Sequence, residues 1–139
     1  MAQDNREQTE PPERQGVDAS LMRHGGLSYL EIPAVDVERS STFYEKVLGW
    51  KVQIGADDTR KFSDGTGHLI GRWVIDRTVS RKPGWLPYFY VDQIDAVVER
   101  VAKFEGEIVK PIHPEGDVRI AIVRDPAGNL IGLWEEAGG

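Results

Sequence analysis

The chain has 139 residues, 40% of them hydrophobic and 29% charged, with a formal net charge of −6 and no cysteine. That length allows one domain or two small modules sharing a core, and the acidic balance speaks against nucleic acid or an anionic membrane as partner. Disulfides, thiolate zinc sites and cysteine nucleophiles are excluded, and no apolar run approaches the roughly 20 residues of a membrane helix, so a cytoplasmic protein is expected.

Residues 1–25 form a stretch rich in Gln, Glu, Pro and Arg at its start, without the apolar centre of a signal peptide. It is expected to be a disordered tail, and the folded domain to run over 26–136. Leu27–Pro33 reads as a strand. Asp36 is a good N-cap, and Val37, Ser41, Tyr44 and Leu48 share one helical face up to a stop at Gly49. Trp50–Ile54 is a strand, and Lys61–Ser63 with His68–Ile75 forms a hairpin. The first module, 26–76, thus has the order βαβββ.

Arg77–Gly84 reads as a linker, and the order then repeats over 85–136. Trp85–Val91 is a strand, Asp92 a helix cap, and Ile94, Val97, Val98, Val101 and Phe104 a helical stripe stopped by Gly106. Glu107–Lys110, Val118–Arg124 and Asn129–Glu135 are the remaining strands. The duplication is visible in the letters. Asp64-Gly-Thr-Gly-His-Leu-Ile-Gly-Arg-Trp73 returns as Asp125-Pro-Ala-Gly-Asn-Leu-Ile-Gly-Leu-Trp134, and Val37 and Gly49 match Ile94 and Gly106. A two-residue period puts Leu69, Gly71 and Trp73 on one face of the first module's last strand, and Leu130, Gly132 and Trp134 on one face of the second's.

Three segments in this order resemble the vicinal oxygen chelate superfamily, the glyoxalase and bleomycin-resistance fold. They are Asp36-Val-Glu-Arg-Ser-Ser-Thr-Phe-Tyr-Glu-Lys-Val-Leu-Gly-Trp50, Val91-Asp-Gln-Ile-Asp95 and Asp125–Trp134. The resemblance implies an α+β fold: two tandem βαβββ modules forming a concave, partly barrel-like mixed sheet with helices outside. It also implies a homodimer. Metal-using members carry ligands on the first and last strands of each module, places that fall here on Tyr29, Gly71, Leu86 and Gly132. None of these resembles a His or Glu ligand, so a metal-ligand-deficient member without cofactor is expected.

On the concave face, parity places Tyr29, Glu31, Leu69, Trp73, Leu86, Tyr88, Tyr90, Leu130 and Trp134, with Gly71 and Gly132 leaving room beside the tryptophans. Such a lining suits a small aromatic or amphipathic molecule held in the cleft between modules. Each residue also has a structural reading: the tryptophans as core, the glycines as close-packing points, and Glu31 as the partner of Arg72 or Arg119. Two alternatives stay open. One is a glyoxalase-type lyase or isomerase, using a divalent metal through displaced ligands (His24, Glu31, His68, His113) or Glu31 as catalytic base. The other is a protein-interaction module whose cleft is closed core.

Overall fold

The computed structural model describes residues 18–138. The elements are β1 (Tyr29–Pro33), α1 (Val37–Leu48), β2 (Lys51–Ile54), β3 (Arg60–Ser63), β4 (Ile70–Val74), β5 (Tyr88–Tyr90), α2 (Ile94–Lys103), β6 (Glu107–Glu115), β7 (Val118–Arg124) and β8 (Leu130–Glu136). They build two four-stranded mixed sheets, ordered β1-β4-β3-β2 and β5-β8-β7-β6. In each, the first strand runs parallel to the last and the other pairs are antiparallel. The α+β architecture of two βαβββ modules is therefore present. The barrel-like closure is not: the sheets stay separate, with β1 and β5 each at an edge.

Both helices use their apolar face to build one shared core. Phe43, Tyr44 and Val47 of α1 meet Ile94, Val97 and Val101 of α2, together with Ile131 and Leu133 of β8. An aromatic column runs through the first module, with Tyr44 stacked on Trp50 at 4.7 Å and Trp50 on Phe62 at 4.4 Å. Phe89 of the second module meets the Trp50 ring edge-on at 5.5 Å. Burying rings of this size supplies much of the driving force for joining the modules.

The two helices are ended by different means. Asp36 caps α1 by accepting the Arg39 N–H at 3.0 Å, and Gly49 closes it in the left-handed region at φ 77°, where a side chain would be strained. Asp92, the expected cap of α2, is not used. Gln93 occupies that place, and Glu135 reaches over from β8 to accept the Ile94 N–H at 2.9 Å. At the far end Glu105, not Gly106, takes the left-handed conformation (φ 72°). Gly106 is needed for space instead, since a Cβ there would lie 2.6 Å from the Phe43 ring and 2.7 Å from the Arg124 carbonyl.

Two boundaries moved. β6 extends to Glu115 although it contains Pro111 and Pro114; it is the sheet edge, where missing N–H donors do no harm, and its register is irregular. Residues 1–17 of the expected tail lie outside the described residues. Residues 18–25 do not form a free tail: Asp18 caps a 3₁₀ turn at Ala19–Leu21, and the Ser20 hydroxyl donates to the Gly67 carbonyl at 2.6 Å.

The repeated segment closes its two turns one residue apart. In the first copy the Asp64 N–H donates to the Leu69 carbonyl, and the first strand pair is Ser63 with Ile70. In the second, the Asp125 N–H donates to the Asn129 carbonyl, and the first pair is Arg124 with Leu130. Pro126 explains the shorter turn. Its fixed φ suits the second position of a β-turn, closed here by the Gly128 N–H on the Asp125 carbonyl at 2.9 Å. The first copy has glycines at 65 and 67, both with positive φ, and makes a looser turn. A one-residue slip moves every side chain of a strand to the other face.

Candidate functional site

The slip corrects the expected cleft lining. Leu69, Gly71 and Trp73 face α1, paired with β1 as Leu30–Gly71 and Ile32–Trp73. Trp73 is core, 5.0 Å from the Phe62 ring. Gly71 is a close-packing point, because a Cβ would fall 1.9 Å from the Leu30 carbonyl. The open face of the first sheet instead carries Tyr29, Glu31, Ile70 and Arg72, with Lys61 and Ser63 beside them on β3. In the second sheet the expected face is the open one: Tyr88, Tyr90, Leu130, Gly132 and Trp134, flanked by Ile120 and Ile122 on β7. Tyr88 lies over Gly132, where a Cβ would come within 2.4 Å of its ring, and Tyr90 meets Trp134 edge-on at 5.0 Å. Leu86 is half-buried and precedes β5.

Glu31 is tied up by two cations. Its Oε2 accepts from Arg72 Nε and Nη2 at 3.2 and 3.0 Å, and its Oε1 from Arg77 Nε at 3.1 Å. The Arg72 hydrogen bonds, then that of Arg77, hold its carboxyl below the ordinary carboxylate range. It is therefore ionised and weakly basic at neutral pH, with both oxygens engaged. Arg119, the other partner considered, binds Asp95 and Glu135 instead.

A cavity of about 230 Å³ lies where the two modules meet. Leu30, Ile32 and Pro33 form its first-module wall, and Pro87, Phe89, Leu130 and Ile131 its second-module wall. Thr78, Ser80, Pro83 and Trp85 of the connecting segment also line it, Trp85 being 90% exposed. Glu31 and Leu130 belong both to this cavity and to the open sheet faces. Its remaining polar lining is Tyr44 and Asn129.

Behind those two sits Asp125, a buried carboxylate at 3% exposure. Its Oδ1 accepts the N–H groups of Ala127, Gly128 and Asn129 at 2.9–3.0 Å. Its Oδ2 accepts from the Tyr44 hydroxyl at 2.9 Å and from Asn129 Nδ2 at 2.8 Å. The same Asn129 nitrogen donates to the Pro33 carbonyl at 2.7 Å, so the second module's turn is fastened to both β1 and α1. Burial pushes the Asp125 carboxyl above its ordinary value, against the opposing pull of these hydrogen bonds. The Tyr44 phenol is raised further, by burial first and then by the neighbouring carboxylate. Asp125, Asn129 and Tyr44 are not among the site residues expected from the sequence. The available signal was that Asp125 and Asn129 bracket a turn containing a proline, whereas Asp64 and His68 bracket one containing two glycines.

The donor set does not fit a divalent ion. With the observed register, the last-strand place of the first module belongs to Arg72, giving Tyr29, Arg72, Leu86 and Gly132 at the four ligand places. A guanidinium at one of them repels a cation. His24 and His68 are exposed. His113 sits on β6 with Nδ1 2.9 Å from the Pro111 carbonyl and Nε2 3.2 Å from Glu115. Among the described residues, no three His, Asp or Glu side chains converge on a common point for a metal.

Comparison with known proteins agrees with this architecture. The chain is 27% identical over 128 residues to the putative glyoxylase CFP32 of Mycobacterium bovis, covering 84% of this chain and 48% of that protein. It thus spans about half the length of that relative. Among solved structures, a glyoxalase/bleomycin resistance protein/dioxygenase family enzyme from Burkholderia phytofirmans PsJN superposes with a TM-score of 0.67 at 21% identity, covering 80% of this chain and 98% of the other. TnmS3, an antibiotic binding protein from Streptomyces sp. CB03234, gives 0.60 at 22%, covering 79% and 94%. No helix among the described residues is long and apolar enough to cross a membrane. Residues 26–133 match the family model, and the chain belongs to the Glyoxalase/Bleomycin resistance protein/Dioxygenase superfamily.

Proposed function

We propose that this protein binds a small aromatic or amphipathic molecule in the cavity between its two modules, without a metal ion. The observation that carries this reading is the cavity itself: its walls come from both modules, are mostly apolar, and include few polar groups. A cavity of about 150 Å³ holds benzene, so 230 Å³ takes a substituted ring or a fused bicycle. Glu31 serves here as a fixed charge that holds Arg72 and Arg77 beside the cleft, since two guanidiniums leave it a poor base. The open aromatic face of Tyr88, Tyr90 and Trp134, with Tyr29 on the other sheet, is the surface that a second copy would cover in a cytoplasmic homodimer.

The test is extraction and mass spectrometry of protein purified without harsh steps, followed by thermal shift with a panel of one- and two-ring aromatics. A co-purifying small molecule in near-stoichiometric amount, or a rise in melting temperature that grows with fragment concentration, is expected. If neither occurs and Zn²⁺, Ni²⁺ or Mn²⁺ alone stabilises the protein, the metal-free binding reading is wrong. Light scattering separately decides the dimer.

A further inference from the structure

The polar end of the inter-module cavity has a definite hydrogen-bonding character. Asn129 Nδ2 lies 2.7 Å from the Pro33 carbonyl oxygen and 2.8 Å from Asp125 Oδ2. A carbonyl can only accept, so the nitrogen must be the amide atom on that side, and both of its protons are used. The Asn129 Oδ1 is left with no hydrogen-bond partner among the described residues. Tyr44, the other polar side chain at this end, gives its single proton to Asp125 Oδ2 at 2.9 Å. Glu31, which also lines the cavity, is ionised and offers oxygens only. Asn129, Tyr44 and Glu31 therefore turn acceptors toward this cavity, whereas the hydroxyls of Thr78 and Ser80 on the connecting segment can donate or accept.

We propose that the occupant of the cavity is a one- or two-ring apolar molecule bearing a hydrogen-bond donor, a hydroxyl or N–H, which it delivers to the Asn129 Oδ1. The proposal rests on the reading that the cavity is a binding site, and adds which chemical class fills it. A molecule ending in an ether, a ring oxygen or a bare hydrocarbon edge leaves this acceptor desolvated and unpaired, a penalty that a donor-bearing isostere avoids. The same arrangement couples occupancy to the joint between modules, because the amide that meets the ligand also fastens the β7–β8 turn to β1.

Matched pairs test this on the intact protein: 2-naphthol against 2-methoxynaphthalene, and indole against benzofuran, by calorimetric titration. The donor member of each pair is expected to bind up to about tenfold tighter. Side-chain amide resonances of Asn129 should shift with 2-naphthol and less with its ether. Equal affinity within both pairs, or tighter binding of the donor-free members, overturns the donor rule while leaving the cavity reading intact. Binding that instead perturbs Tyr88, Tyr90 and Trp134 and spares Asn129 overturns the rule and moves the site to the open face. No binding by any of the four overturns both.

Discussion

The two copies of the repeated segment share six of ten letters and do opposite things with them. Trp73 is sealed under α1 within the aromatic column, whereas Trp134 stands on the open face of the other sheet against Tyr90. Asp64 sits in a surface turn and accepts from Thr66 of that turn, while Asp125 is buried and accepts from five donors, one of them in the other module. Identity of sequence between duplicated strands does not carry identity of facing. The register does, and one hydrogen bond at the turn decides it.

Substitutions in pairs sharpen this contrast. The largest gap is expected between Trp73→Ala and Trp134→Ala in urea unfolding: about 3–5 kcal/mol for the first, where a cavity opens in the core, and well under half of that for the second. Next come the two aspartates. Asp125→Ala leaves the Tyr44 hydroxyl and the Ala127 and Asn129 N–H groups without their acceptor and takes one of two acceptors from the Gly128 N–H and from Asn129 Nδ2, a loss of about 3–4 kcal/mol, while Asp64→Ala should stay below about 1 kcal/mol. Equal effects in either pair would mean that the turns close in the same register after all.

The glycines give a smaller and differently shaped contrast. At Gly71 an added Cβ meets backbone, the Leu30 carbonyl, which cannot yield without separating β1 from β4. Gly71→Ala is therefore expected to cost about 3 kcal/mol, the upper part of the usual overpacking range. At Gly132 the obstacle is the ring of Tyr88, half-exposed and free to swing outward. Gly132→Ala should cost about 1 kcal/mol and change the Tyr88 environment, visible in near-ultraviolet circular dichroism.

The smallest effect is on acid stability, where the two regions pull in opposite directions. Glu31 and Asp95 have carboxyls lowered in the folded state from ordinary values of 4.5 and 3.8, chiefly by hydrogen bonds from Arg72 and Arg119. Their stabilisation is fully present above those values and is lost as pH falls through them toward the folded ones. Asp125 is raised, so the folded protein takes up its proton first, and stability rises as pH falls toward 3.8. Urea midpoints between pH 6 and 3 should show a flatter acid limb in Glu31→Gln and a steeper loss in Asp125→Asn. A parallel response of both variants would contradict the opposite signs of the two shifts.

Much of the fold was legible because it depends on local rules. The stripe Ile94, Val97, Val101 marks a helix wherever it docks, Asp36 and Gly49 bound α1 by their own conformational preferences, and the duplicated βαβββ order follows from turns and periods alone. Half of the expected open face was also legible: Tyr88, Tyr90, Gly132 and Trp134 share it as parity implied. The other half was not. Gly71 and Trp73 were assigned with Tyr29 and Glu31, yet strand pairing puts Glu31 opposite Arg72 and Trp73 opposite Ile32. Alternation says which residues travel together along one strand and is silent on which face of the neighbouring strand they join.

Residue type and near-neighbour spacing account for the duplicated plan, the helices and their apolar stripes. The folded arrangement was needed to show that α2 takes its cap from Glu135, that Gly106 serves Phe43 and not its own backbone, and that Asn129 turns its oxygen away from Pro33 and Asp125. Most of those contacts join residues tens of positions apart. The facing of β4 and β8 depends on a register that differs by a single residue between two unlike turns, and a shift that small reverses a whole strand because side chains alternate with a period of two.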